Sequence, residues 1–158
     1  MTINKHVLLL CMAVMSILCA LTSCNKGVVY DQYNHTPLYG WEKNDTLVFD
    51  VSPLAQGGHY RQEIGLRTNE TFPFKSLSLV VEQTIEPNHR TYIDTLKCKL
   101  ADDKGNMLGQ GISYYQYNFI LVDRDLSKGD SLHVTVRHIM KREILPGISD
   151  IGFRMYAD

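Results

Sequence analysis

Along most of the chain apolar side chains recur at every second position, the period of a strand with one buried face. From Asp45 to Val51, Leu47, Phe49 and Val51 fall on one side. From Tyr60 to Thr68, Tyr60, Ile64 and Leu66 share a face while Arg61, Glu63 and Arg67 turn outward. Leu77, Leu79, Val81 and Ile85 repeat the pattern against Ser78, Glu82 and Thr84, and Tyr92, Leu96, Cys98 and Leu100 repeat it against Thr91, Thr95, Lys97 and Lys99. Further strands are predicted from Met107 to Val122, through Leu132, Val134 and Val136, and from Asp150 to Tyr156. Helix content is expected to be low, with room only for one turn at Asp123 to Asp130. Turn residues at Gly57-Gly58, Pro73, Pro87-Asn88, Gly105-Asn106, Lys128-Gly129 and Pro146-Gly147 punctuate these runs. The predicted fold is all-β, an antiparallel β-sandwich of jelly-roll or immunoglobulin-like type.

The beginning of the chain breaks this pattern. Lys5 and His6 lead into an apolar run from Val7 to Ala20, followed by Leu21-Thr22-Ser23-Cys24 and then polar Asn25 and Lys26. The run is shorter than the roughly 20 residues that cross a bilayer comfortably, and its flanks are those of a secretory signal peptide. Leu, Thr and Ser directly before a cysteine form a bacterial lipobox. Cys24 is then the first mature residue and the lipid attachment site, its sulfur alkylated by a diacylglyceryl group and its freed amine acylated. Two or more acyl chains, at roughly 0.8 kcal/mol per buried methylene, give stable anchoring to a membrane without a span. The expected organisation is a lipoprotein signal peptide at 1–23, a lipid-anchored tether with an aromatic segment at 24–44, and a β-sandwich domain at 45–158.

Removing 23 of 158 residues leaves 135, enough for one domain with its own core. Lys5 leaves with the leader, so 16 basic residues become 15 against 17 acidic ones, a charge of −2. Nothing in that balance favours nucleic acid. Of four cysteines, Cys11 and Cys19 are in the leader and Cys24 is lipidated, which leaves Cys98 without a disulfide partner. Its place on the apolar face reads as a small buried hydrophobe.

Catalytic chemistry has no positive support. His35, His59, His89, His133 and His138 lack the helical or strand spacing of a metal site, and His133 and His138, five positions apart, face opposite ways on a regular strand. Asp102 and Asp103 lie in a Gly-containing turn, which accounts for them. No nucleophile elbow, phosphate loop or dinucleotide fingerprint is present. What stands out is aromatic. Tyr30, Tyr33, Tyr39 and Trp41 lie within a dozen residues, and Tyr114, Tyr115, Tyr117 and Phe119 form a second group. On one reading Tyr115, Tyr117 and Phe119 make one strand face with Trp41 closing the end of the core. On the other, the aromatics make a contact surface for a protein or a sugar.

The lipobox Cys24, then Tyr30-Asp31-Gln32-Tyr33, Gly40-Trp41, and Phe49-Asp50-Val51 opening a β-domain, together with an ending from Leu145 to Tyr156, resemble the GldH gliding-motility lipoprotein family of the Bacteroidota. The resemblance runs over essentially the whole mature chain. It implies an outer-membrane, lipid-anchored accessory protein of gliding, a process linked to type IX secretion, with no enzymatic activity and no cofactor. Its implied partners are the membrane, through the lipid, and other envelope proteins of the gliding or secretion machinery. Tyr30, Tyr33, Tyr39 and Trp41 are the candidate partner-binding residues, in a loop expected near the anchor. Lys26, with no acidic cluster behind Cys24, points to a periplasm-facing domain. The competing reading is a glycan-binding surface lipoprotein. It requires coplanar exposed Tyr or Trp rings beside a polar groove, whereas an assembly component buries Trp41 and presents a strand edge or apolar patch.

Overall fold

The computed structural model describes residues 27–157, in which all regular structure is strand. The expected signal peptide at 1–23 and the expected lipid attachment site, Cys24, lie outside the described residues. In chain order the strands are β1 (Val28–His35), β2 (Trp41–Glu42), β3 (Leu47–Val51), β4 (Gly58–Asn69), β5 (Ser76–Glu86), β6 (Arg90–Lys99), β7 (Tyr114–Leu126), β8 (Ser131–His138), β9 (Ile144–Leu145) and β10 (Ile148–Ala157). Two four-stranded antiparallel sheets, ordered β1-β10-β4-β7 and β3-β8-β5-β6, are joined by a small β2-β9 ribbon. Of the long strands only β5 and β6 are consecutive within one sheet, and every other step crosses to the opposite sheet. That order is a jelly roll, which decides between the two expected sandwich types.

Period-2 alternation fixes which face is buried. Leu77, Leu79, Val81 and Ile85 of β5, Leu132, Val134 and Val136 of β8, and Phe49 and Val51 of β3 face Ile64 and Leu66 of β4 and Ile151, Phe153 and Met155 of β10. Cys98 and Leu100 complete that core, and Tyr117 enters it from β7 with its hydroxyl donating to the Leu100 carbonyl at 3.1 Å. At one seam between the sheets the Asn34 amide donates to the Val48 carbonyl at 2.6 Å. At the other, Arg124 of β7 stacks 3.7 Å from the Tyr92 ring centroid and pairs with Asp94 at 3.3 Å.

Connectivity sorts the loops between two ends. β1 starts opposite the close of β10, Val28 against Tyr156, so the described chain enters and leaves at one end. The 52–57, 87–89 and 127–130 connections share that end. The 36–46, 70–75, 100–113 and 139–147 connections make the other, where His35 pairs with Asp150 and Asn69 with Tyr114 across the sheet.

Three local expectations differ from the structure. The segment from Tyr30 to Trp41 is not a loop beside the anchor: its first part is β1, hydrogen-bonded to β10 along its length. No helical turn forms at Asp123 to Asp130, because β7 continues to Leu126 and a tight turn follows, with the Ser127 amide donating to the Asp130 carboxylate at 2.9 Å and Gly129 at φ 88°. Strand β7 begins only at Tyr114, since Gly111 holds φ 134° and a Cβ there would lie 1.8 Å from the Tyr114 carbonyl oxygen. The stretch from Met107 to Ser113 is therefore loop, touched by isolated bridges at Met107 and Gln110.

Candidate interaction surface

The four aromatics of the N-terminal segment occupy four different environments. Tyr30 faces inward from β1, its ring 5.8 Å from Phe153 and its hydroxyl donating to Gln32 at 3.0 Å. Tyr33 faces outward but lies flat on the sheet. Its ring covers Gly152 of β10 and Gly65 of β4, where an added Cβ would in each case come within 2.7 Å of a ring carbon, and the Arg67 guanidinium stacks above at 4.0 Å from the centroid. Asp31, on the same outer face, pairs with Arg154 at 2.7 Å, and Arg154 also donates to the Tyr156 hydroxyl at 2.8 Å. Tyr30, Asp31 and Tyr33 thus fasten β1 onto β10 and β4, and Gln32 braces the Tyr30 hydroxyl.

Gly40 and Trp41 act together in the same structural sense. Gly40 holds φ 123°, and a Cβ there would meet Ile144 at 2.5 Å, so only glycine lets the chain turn against β9. The turn drives Trp41 into the sandwich, where it is 0% exposed. Its indole N–H donates to the Asp45 carbonyl at 3.0 Å, and its ring meets His138 edge to face at 5.2 Å. His138 donates from Nε2 to the Trp41 carbonyl at 3.1 Å, and burial pushes its pKa down, so it is neutral. Trp41 is closed off from any partner. Only Tyr39, at 67% exposure, faces solvent in the manner of a contact residue. The structure does not bring the four candidates together into one surface.

The other chemistry-bearing groups are structural. Asp102 accepts from the Asn106 amide and side chain, both at 2.8 Å, which closes a turn with Gly105 at φ 90° and holds its carboxyl below the usual range. His133 is exposed and pairs with Asp50, while His138 is buried. Among the described residues no group of three or more His, Cys, Asp and Glu is placed to hold a metal ion. The Cys98 thiol, buried, is pushed up to about 12.

What sequence reasoning missed is a cluster at the end opposite the described N-terminus. Leu38 is fully exposed, Ile112 is 87% exposed and Tyr114 is 64% exposed, and Tyr39 and Ile144 are exposed on the same set of connections. They come from three connections, 36–46, 100–113 and 139–147, and from the first residue of β7. Backbone hydrogen bonds tie these connections to the body, from Thr36 to the Ser149 carbonyl at 3.0 Å, Lys43 to that of Glu143 at 2.8 Å and Leu108 to that of Leu100 at 2.9 Å. A cleft of about 330 Å³ opens between Leu38 and Tyr114, lined also by Pro37, Asn69, Thr71 and Pro146. No periodicity marks such residues, because each stands alone in its own loop.

Fold and surface define a jelly-roll domain with aromatic fastenings and one apolar end. The sequence profile of the GldH lipoprotein family matches residues 28–155, and the chain belongs to that family, whose members are gliding-motility lipoproteins. One relative, the gliding motility lipoprotein GldH of Flavobacterium johnsoniae, is 29% identical over 143 residues, covering 85% of this chain and 88% of its own. Among solved structures, a family GH115 4-O-methyl-alpha-glucuronidase is similar with TM-score 0.49 and 13% identity over 86% of this chain and 18% of that one. A family 35 carbohydrate-binding module from Clostridium thermocellum is similar with TM-score 0.38 and 8% identity, covering 82% and 92%. Neither structural likeness bears on function.

Proposed function

We propose that the protein is a non-enzymatic accessory component of gliding motility, linked to type IX secretion or to envelope maintenance, anchored in the outer membrane through lipidated Cys24 and facing the periplasm. The observation that carries this reading is family membership across residues 28–155. Two features support an assembly role over a glycan platform: Trp41 is wholly buried, and the most exposed side chains of one end are aliphatic as well as aromatic. Of the residues first singled out for partner contact, Tyr39 retains that proposed role, and Tyr30, Tyr33 and Trp41 serve it by holding β1 and the 36–46 connection in place.

The test is complementation of a gene deletion in the producing bacterium with wild type or Cys24→Ala. Wild type should restore spreading, or release of type IX cargo where the strain does not glide, and should fractionate with outer membranes. Cys24→Ala should do neither. Incorporation of labelled fatty acid by the Cys24→Ala protein would overturn the anchor assignment. Rapid digestion by protease added to intact cells would overturn the periplasmic one.

A further inference from the structure

We infer that the apolar end of the jelly roll, built around Leu38, Tyr39, Ile112 and Tyr114, is the docking surface for a second envelope protein held on the side away from the anchoring membrane. The inference rests on the proposed anchor at Cys24. It starts from an asymmetry between the two ends of the sandwich. Of twelve exposed large apolar side chains among the described residues, only Val28 and Val29 belong to the end where the chain enters, and Val48, Ile93 and Ile120 are scattered on outer sheet faces. The remainder lie on the connections of the opposite end, where Leu38 and Tyr114 line one cleft, while Leu108 faces Asn118 and Phe119 on the flank of β7. Contiguous exposed apolar surface on a soluble domain marks an interaction site, whereas isolated side chains do not.

Connectivity says where that end points. Cys24 precedes the first described residue, Gly27, by three positions, a reach of about 10 Å at full extension. Strand β1 then runs through eight residues, about 26 Å, directly from the anchored end to the 36–46 connection. The mature residues ahead of β1 are therefore too short to fold back over the patch, which removes this chain's own N-terminus as its cover. A second copy is disfavoured by the same geometry. Two domains anchored in one bilayer both direct this end away from it, and an end-to-end two-fold contact would set their anchors on opposite sides.

Charge decides between lipid and protein. The 36–46, 70–75, 100–113 and 139–147 connections carry five basic residues (Lys43, Lys75, Lys104, Lys141, Arg142) and six acidic ones (Glu42, Asp45, Glu70, Asp102, Asp103, Glu143). Surfaces that settle on anionic headgroups carry an excess of Lys and Arg around the apolar element, and this end has none. Exposed apolar side chains on connections that carry charges of both signs fit a protein interface, with exposed Tyr as a favoured contact residue. The cleft between Leu38 and Tyr114, with Asn69 and Thr71 on its wall, would admit one apolar side chain of the partner and offer polar groups to its backbone.

The experiment uses the full-length lipoprotein expressed in its own bacterium. A photo-crosslinking amino acid at position 38 or 112 should join the protein to one other envelope protein, and the same amino acid at the exposed outer-face position 93 should not. The double variant Leu38→Asp/Ile112→Asp should fractionate with membranes like wild type but migrate without the partner on native gels and lose at least tenfold in spreading, while Ile93→Asp behaves as wild type. Loss of membrane fractionation would show a failing anchor or fold and is read separately, by fatty-acid labelling and circular dichroism. Crosslinks between two copies of this chain, binding of the purified domain to anionic phospholipid vesicles that Leu38→Asp abolishes, or equal behaviour of the distal and outer-face variants would each overturn the proposal.

Discussion

Trp41 and His138 close the end of the sandwich as a reciprocal pair: the two rings meet edge to face at 5.2 Å, and the His138 Nε2–H donates 3.1 Å to the Trp41 carbonyl. One residue lies on β2 and the other terminates β8, so the contact ties the short ribbon to the main sheets. Trp41→Ala should therefore destabilise the domain by about 3–5 kcal/mol, the usual cost of removing a fully buried aromatic side chain. Urea unfolding of the soluble domain measures it. A cost under about 1 kcal/mol would mean that Trp41 does not hold this end together.

The same pair predicts a pH dependence. Burial lowers the His138 pKa below its ordinary 6.5, so the unfolded chain takes up the proton more readily than the folded one. The contribution of neutral His138 is fully present above about pH 6.5 and is lost as pH falls below that value toward the folded pKa. Four other histidines lie beside carboxylates, so the informative quantity is a difference between two proteins that share them. Between pH 7.5 and 5.5 the wild-type domain should lose more stability than a His138→Gln variant does. Equal losses would remove His138 as the titrating group.

Cys98 should be inert in the folded protein. Its thiol is 0% exposed and pushed up to about 12, so neither access nor thiolate is available at neutral pH. Treatment with an excess of iodoacetamide should leave native domain unlabelled and label it fully in urea. Labelling of the native domain within minutes would contradict the burial.

Much of the fold is legible in the sequence where one strand face is apolar. Leu77, Leu79, Val81 and Ile85 announce β5 because every second side chain enters the core. Strand β1 gives no such signal. It is an edge strand whose inward residues, Tyr30, Gln32 and Asn34, are all polar or amphipathic, and its pairing depends on Asp31 and Tyr33 reaching across to β10 and β4. The apolar end is illegible for a different reason. Leu38, Ile112 and Ile144 stand about 74 and 32 positions apart, and only the crossing of connections in a jelly roll assembles them. The aromatic clusters were visible, but adjacency in sequence said nothing of face: Tyr33 and Tyr39 are six positions apart, one pressed on the sheet and the other in solvent.

That contrast yields the last prediction. Neither Gly65 nor Gly152 has a positive φ, so an alanine at either position is not strained by its own backbone, and its cost isolates the contact with Tyr33. The Cβ of Gly152→Ala would come within 2.7 Å of the ring, forcing Tyr33 off the sheet and away from Arg67. Overpacking of this kind costs about 1–3 kcal/mol, and loss of the cation–π contact adds about 0.5–2 kcal/mol. In a Tyr33→Ala background the clash is gone, so Gly152→Ala should cost less than half as much, a coupling of at least about 1 kcal/mol. Tyr39→Ala, on an exposed side chain, should shift stability by less than about 0.5 kcal/mol and show no coupling. Urea denaturation of the single and double variants gives each value. Strict additivity of Tyr33→Ala and Gly152→Ala would show that Tyr33 is free of the glycine floor, and would return it to the residues available for contact with a partner.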